Sequence, residues 1–398
     1  MLRRTGILLL VVAVLAVGGL ASCAGPAGEA SYKVGVIASQ TGPYSGLGLP
    51  ALEGMELIAD GINENGGIDG IPLELIVYDD KGSSTETALA AKRLIEVDGV
   101  LAFACSTATG LSHSLVPVAN DLRTPGIIMS GTGLINDQLG EWCFKPIASE
   151  DDYIPLPLGY LADDQGVSKL AGLLENSGYG EGGEFYLAKV APDCGIAIVE
   201  TQHFDPAASD LTPQLTNIKN SDAEAIFIWG SGPAGALAVK QAREMGISLH
   251  IVTTPAQASP SYVESFQEYY EMAPSLVCLD SKLSMWRQLA DDDPDKAMCR
   301  EFDELYIEIY GHSPSMWNAI GAQIIQFIAD GLERAEPDPT KLEEARGKVR
   351  DAFESTTGLS LFMGTYTLSP TDHYGRVVPK EVLVTFKDGE KVLVKTFS

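Results

Sequence analysis

From Tyr32 onward the chain alternates short apolar runs with longer stretches in which apolar residues return every three or four positions. Tyr32 to Ala38 alternates about Gly35 and predicts a first strand, Leu73 to Tyr78 predicts a second, and Val100 to Ala104 predicts a third that is buried on both faces. Between them, Leu52, Met55, Leu57 and Ile58 mark the buried side of a helix from Pro50 to Asn63, which Asn65-Gly-Gly-Ile-Asp-Gly70 stops. A second helix is predicted near Thr85 to Val97, and Leu111, Leu115, Val118 and Leu122 predict a third over Gly110 to Leu122. Strand, helix, strand, helix, strand is the alternation of a parallel doubly wound sheet. The third strand runs out into Cys105-Ser-Thr-Ala-Thr109. Its hydroxyls therefore stand at a strand's carboxyl end before a helix, where open α/β sheets take ligands, although the same residue types also cap helices.

A second series follows the same plan. Ser168 to Leu174, Ile196 to Glu200, Ala225 to Trp229 and Leu249 to Thr253 read as strands, and Ala234 to Met245 as a helix ended by Gly246. Cys299 to Tyr310, Ser315 to Ala335 and Lys341 to Phe353 read as further helices, the last two separated by Pro337-Asp-Pro339. Val382 to Val394 alternates about Asp388-Gly389 and predicts a hairpin. No fixed-period repeat is present.

Composition adds an address and removes some functions. At 398 residues, with 45% apolar residues, the chain is too long for one ordinary domain, so two lobes are expected. Met1 to Ser22 carries Arg3 and Arg4 ahead of an apolar run from Ile7 to Val17 that is short for a membrane span, as in a secretory signal. Leu20-Ala-Ser-Cys23 resembles a bacterial lipobox, which implies lipidation of Cys23 as the first mature residue, with residues 23–30 as a tether. Loss of residues 1–22 leaves 25 basic against 54 acidic residues, a charge of −29, and such a surface repels nucleic acid. Beyond Cys23 stand Cys105, Cys143, Cys194, Cys278 and Cys299, an odd number that leaves at least one thiol unpaired within a monomer.

Three segments then point to a family. Thr41-Gly-Pro-Tyr-Ser-Gly-Leu-Gly48, Asn63-Glu-Asn-Gly-Gly-Ile-Asp-Gly70 and Leu73 to Asp80 with its paired acids closely resemble the branched-chain-amino-acid type of periplasmic solute-binding protein. The likeness continues through Pro125 to Thr132, Ser177-Gly-Tyr-Gly-Glu-Gly182 and Ser369 to Gly375. It implies an α/β fold of two Rossmann-like doubly wound lobes joined by three hinge crossovers, the type I periplasmic binding fold, closing on a small ligand. On that plan the first lobe is 31–147 with 280–361 and the second is 148–279 with 362–398. The crossovers fall at Cys143 to Ile147, near Leu276 to Leu279, and at Leu359 to Thr367.

The resemblance also implies binding residues. Ser106 and Thr107 match the hydroxyls that hold a ligand carboxylate, and Gly131 and Thr132 match the loop that completes the anion site. Leu47 falls where some relatives carry an aromatic, with Tyr44 near it, Tyr179 matches the aromatic that packs on the ligand, and Ser231 aligns with another. Relatives that bind amino acids carry an acid just after the position of Pro255, whereas this chain has Ala256 and then Gln257. An enclosed ammonium without a counter-charge is costly, so an aromatic or aliphatic carboxylate or an amide is expected ahead of an amino acid. A disulfide that relatives make to the position of Cys105 is missing, because the loop after the double acid is Lys81-Gly-Ser-Ser84. The implied partners are permease subunits of an ABC importer and, through Cys23, a bacterial membrane; the protein is expected as an extracytoplasmic monomer.

Other readings are weaker. Gly178-Tyr-Gly-Glu-Gly-Gly183 has dinucleotide spacing and Glu200 follows a strand, but Tyr179 and Glu181 would crowd a pyrophosphate. The histidines at 113, 203, 250, 312 and 373 lack metal-ligand spacing, with His373 read as a locally bonded loop residue, and Ser112-His113-Ser114 is poor triad geometry. Asp291 to Asp295 lacks calcium-loop spacing. No catalytic residue, metal or cofactor is therefore assigned. The same fold also serves in receptors, so a lipid-anchored sensor is the alternative to transport.

Overall fold

The computed structural model describes residues 30–105, 108–271 and 276–397. Cys23, the signal segment and the hydroxyl pair Ser106 and Thr107 lie outside the described residues. The first sheet is five parallel strands in the order β2-β1-β3-β4-β5, with β1 at Tyr32–Ala38, β2 at Leu73–Asp79, β3 at Ala102–Cys105, β4 at Gly126–Ile127 and β5 at Cys143–Phe144. The second repeats that order with β6 (Lys169–Glu175), β7 (Ala197–Phe204), β8 (Ala225–Trp229), β9 (His250–Thr253) and β10 (Leu276–Ser281) as β7-β6-β8-β9-β10. Residues 359–379 form a third, small sheet of β11 (Leu359–Leu361), β12 (Gly364–Tyr366) and β13 (Arg376–Pro379). The predicted hairpin, β14 (Glu381–Lys387) and β15 (Glu390–Thr396), extends the second sheet antiparallel to β10. It turns at Asp388 and Gly389, both with positive φ (52° and 80°), as the tight hairpin turn requires.

Each sheet is sandwiched between two apolar layers. Val34 and Val36 face Ile324 and Phe327, while Ile37 and Phe103 face Leu94 and Leu115. In the second sheet Ile226 and Ile228 face Leu215 and Val239, while Phe227 and Trp229 face Leu158 and Leu187. The first sheet's main helix pair, Ser45–Glu64 and Met316–Ala335, packs with almost no spacer. A Cβ added at Gly321 would lie 1.8 Å from the Ala51 carbonyl oxygen. Gly321→Ala is therefore expected to lower the free energy of unfolding by about 1 kcal/mol, the low end for overpacking because alanine regains helix propensity. Urea unfolding reads this directly, and a more stable variant would contradict the close approach.

Several elements differ from the pattern-based expectation, each for a local reason. The first helix begins at Ser45, ahead of Pro50, which sits inside it. Pro50 has no N–H for the Gly46 carbonyl, and that oxygen instead receives the Ser259 and Ser261 hydroxyls at 3.4 and 3.5 Å. The third helix is two pieces, Thr109–His113 and Leu115–Asp121, because Pro117 withholds an N–H from the first piece. Leu276 to Leu279, near which the resemblance implies that the chain crosses back, opens β10 of the second sheet, buried along its whole length. Cys143 and Phe144, the first residues of the crossover implied at Cys143 to Ile147, form an edge strand of the first sheet.

His373 is not a locally bonded loop residue. It is 5% exposed, stacks on Phe144 with ring centroids 4.2 Å apart, and bonds through Nδ1 to the Cys143 carbonyl at 2.9 Å. Beside it, Arg376 bonds Asp152 at 2.9 Å, Glu381 at 2.6 Å and the Met363 carbonyl at 2.8 Å. These contacts tie together the segments that run between the sheets.

Candidate functional site

Both main sheets have the strand order 2-1-3-4-5, which reverses between the first and third strands, and the crevice of such sheets lies outside the carboxyl ends at that point. In the first sheet the switch point is followed by Tyr44 after β1 and by Thr109 after β3. In the second it is followed by Ser177 and Tyr179 after β6 and by Ser231 after β8. The structure brings these two edges against one another around a cavity of about 130 Å³, whose described walls include Tyr44, Ser84, Thr109, Ser177, Tyr179 and Ser231.

The walls are held from behind. Tyr179 is 8% exposed; its ring stacks on Trp229 at 5.5 Å, and its hydroxyl is 3.2 Å from that of Tyr153. Tyr153 stacks on the same indole at 5.8 Å and donates to the Gly131 carbonyl at 3.1 Å. Burial, with Glu150 nearby, raises the Tyr179 phenol well above its ordinary range, so it remains a neutral hydroxyl. Thr109 accepts the Gly131 N–H at 3.2 Å, which joins the loops after β3 and β4. His113 meets the Ser130 hydroxyl at 2.9 Å, and burial followed by the Lys145 charge pushes its pKa down to about 4, so the imidazole adds no charge here at neutral pH.

Two buried carboxyls, neither singled out by the sequence pattern, underlie the second lobe's edge. Glu175, the last residue of β6 and 1% exposed, accepts the Ser177 hydroxyl at 2.7 Å, the Ser231 hydroxyl at 3.2 Å, and the N–H groups of Ser231 and Gly232 at 3.1 and 3.2 Å. Glu150 is fully buried and accepts the Trp229 indole N–H at 2.8 Å through Oε1, with Oε2 beside the Thr132 hydroxyl. A Cβ on Gly182 would lie 1.9 Å from that Oε2 and 2.1 Å from the Thr132 oxygen, so only glycine fits. Burial raises Glu150 well above the ordinary carboxyl range. A strand-end acid with Ser two positions on is the one signal that would have found Glu175; Glu150 in Ser149-Glu-Asp-Asp reads as an ordinary helix start.

Of the sequence-derived candidates, Tyr44, Tyr179 and Ser231 meet at the cavity. Gly131 and Thr132 lie behind Tyr179: a Cβ at Gly131 would be 2.8 Å from the Tyr179 ring, and Thr132 caps the turn that follows it. Gln257 turns inward, its Oε1 accepting the Thr254 hydroxyl at 2.6 Å and its Nε2 donating to the Gly232 carbonyl at 3.3 Å. Leu47 packs with Ala236, Ala256 and Tyr262. Ser106 and Thr107 lie outside the described residues. The glycines of the dinucleotide-like motif are occupied by packing, Gly182 against Glu150 and Thr132 and Gly183 against the Trp229 indole. A larger hollow of about 610 Å³ among Arg123, Trp142 and Arg350 adjoins the amino ends of β4 and β5, away from the switch points. Among the described residues no cluster of His, Cys, Asp or Glu converges as a metal site, and no helix is long and apolar enough to cross a membrane.

Comparison with known proteins agrees with this geometry. The sequence profile of the periplasmic binding protein family matches residues 31–378. A leucine-, isoleucine-, valine-, threonine- and alanine-binding protein of Pseudomonas aeruginosa is 23% identical over 87% of this chain and 89% of its own length. A Leu/Ile/Val-binding protein homologue of Brucella melitensis is 26% identical over 64% of this chain and 68% of its own. Among solved structures, an extracellular ligand-binding receptor from Rhodopseudomonas palustris superposes with a TM-score of 0.84 at 22% identity, over 92% of this chain and 100% of its own. The leucine-binding protein of Thermotoga maritima gives 0.78 at 22% identity, over 92% and 98%. These relatives are binding proteins and not enzymes. Two facing switch points over one cavity, matched by a profile that runs from β1 into β13, make this chain a member of the periplasmic binding protein family.

Proposed function

We propose that the protein captures a small organic solute outside the cytoplasm and delivers it to the permease subunits of an ABC importer. The observation that carries this reading is the cavity itself, whose walls come from both sheets, so a bound solute bridges the two lobes and favours their closure. The relatives named for binding branched-chain and other small amino acids support a solute of that size. Cys23 is the proposed lipid anchor, and the protein is proposed to act as a monomer. The pocket-forming positions are Tyr44, Tyr179 and Ser231, joined by Ser84, Thr109 and Ser177, with Ser106 and Thr107 retained from the sequence for the carboxylate end.

The test is thermal unfolding of ligand-stripped protein against amino acids, aliphatic and aromatic carboxylates, amides and dinucleotides. A true ligand at a hundredfold excess over its Kd adds about 2.7 kcal/mol of stability. Stabilisation by a small acid, amide or amino acid is the expected result. Stabilisation by a dinucleotide alone would overturn the reading.

A further inference from the structure

The second lobe's half of the cavity has a hydrogen-bonding polarity that its residue types alone do not reveal. A serine hydroxyl has one proton and two acceptor sites, so where its proton goes decides what it offers a ligand. The Ser177 and Ser231 hydroxyls both direct that proton to Glu175 Oε1, at 2.7 and 3.2 Å. Glu175 Oε2 is saturated by the backbone N–H groups of Ser231 and Gly232 at 3.1 and 3.2 Å, which fixes the carboxylate in place. Ser177 and Ser231 line the cavity, and with their protons committed they present lone pairs to it. The Tyr44 hydroxyl is hydrogen-bonded with Ser231; since the Ser231 proton goes to Glu175, Tyr44 is the donor of that bond and takes one of the two Ser231 acceptor sites. With the three hydroxyl protons directed to Glu175 or to Ser231, this wall offers oxygen lone pairs backed by a carboxylate, which repels a second carboxylate and welcomes a group with several N–H donors.

We infer that Glu175 is a positioning residue for ligand specificity, acting through Ser177 and Ser231 to make this wall a subsite for an ammonium or similarly donor-rich nitrogen. This rests on the solute-binding reading above. It reverses the expectation drawn from Ala256: the counter-charge absent after Pro255 is supplied one shell back, from the end of β6. The ligand class is then a small zwitterion or amine, ahead of a simple carboxylate.

Three probes of nearly equal shape separate the possibilities: L-leucine, 4-methylpentanoate, which lacks the amine, and 3-methylbutylamine, which lacks the carboxylate. Calorimetric titration of ligand-stripped protein is expected to show leucine binding at least tenfold tighter than 4-methylpentanoate. In Glu175→Gln that preference should shrink at least tenfold, because the charge is lost while the side chain keeps its size. Ser231→Ala, which leaves Glu175 and the backbone bonds in place, should shrink it in the same direction. The ratio of the two affinities is the readout, since a merely structural role for Glu175 would weaken both probes together. Equal or tighter binding of 4-methylpentanoate, or an unchanged ratio in both variants, overturns the assignment while leaving the solute-binding function standing. Binding of none of the three probes, nor of any panel solute, by folded protein overturns that function and this inference with it.

Discussion

Replacing Arg376 with leucine is expected to destabilise the protein by about 3–5 kcal/mol, the cost of breaking a buried ion pair from one side. Arg376 and Glu381 are buried together, with 2.6 Å between Nη2 and the carboxylate, and Asp152 holds the other guanidinium nitrogen at 2.9 Å. Burial raises Glu381 above the ordinary carboxyl range, and the Arg376 charge opposes that shift. Removing the guanidinium leaves Glu381 with burial unopposed. Adding Glu381→Leu should then recover most of the loss, because an apolar pair of similar volume costs far less than one orphaned charge. Urea unfolding of the two variants measures both effects. A single variant within about 1 kcal/mol of the parent would show that the network is solvated in solution.

Glu150→Gln is expected to act in the opposite direction and to do so in a pH-dependent way. The acid is fully buried, Oε1 already has the Trp229 N–H, and Oε2 has no donor that matches a negative charge. Its folded pKa is raised, so the native state holds a proton that the unfolded chain releases above the usual carboxyl pKa. Stability from this group is therefore present at acid pH and is lost as pH rises above that ordinary value. Glutamine keeps an acceptor for Trp229, offers N–H donors to Thr132, and cannot ionise. The variant should match the parent near pH 5 and exceed it at pH 8 by about 1–3 kcal/mol, the scale for an unsatisfied buried polar group. Thermal unfolding at the two pH values decides; a difference that stays constant with pH would show that Glu150 does not carry the penalty.

The strand and helix plan was legible because its signals are dense. Ala225–Trp229 is an uninterrupted apolar run, the helix Met316–Ala335 shows long apolar periodicity, and Asp388-Gly389 announces its own turn. The misjudged elements are those where one residue competes with the pattern, as Pro50 does inside the first helix and Pro117 within the third. At the site, Tyr44, Tyr179 and Ser231 were legible from motif resemblance and position after a strand. Glu175 and Glu150 were not. A carboxyl's role depends on which donors the fold aims at it, and those come from Ser231, Gly232 and Trp229, more than fifty positions away. The inward turn of Gln257 depends in the same way on where the fold brings the Gly232 carbonyl, although its other partner, Thr254, is only three positions away.

Closure over a solute is the central claim, and the overall size of the molecule in solution reports it most directly. Small-angle scattering on ligand-stripped protein should give a radius of gyration that falls on saturation with the panel member that stabilises it. Tyr179→Ala, which removes a wall of the cavity and its stack on Trp229, should weaken that response at the same ligand concentration. A solute that binds and stabilises while the radius of gyration stays unchanged would contradict an interlobe site and move the binding elsewhere on the chain.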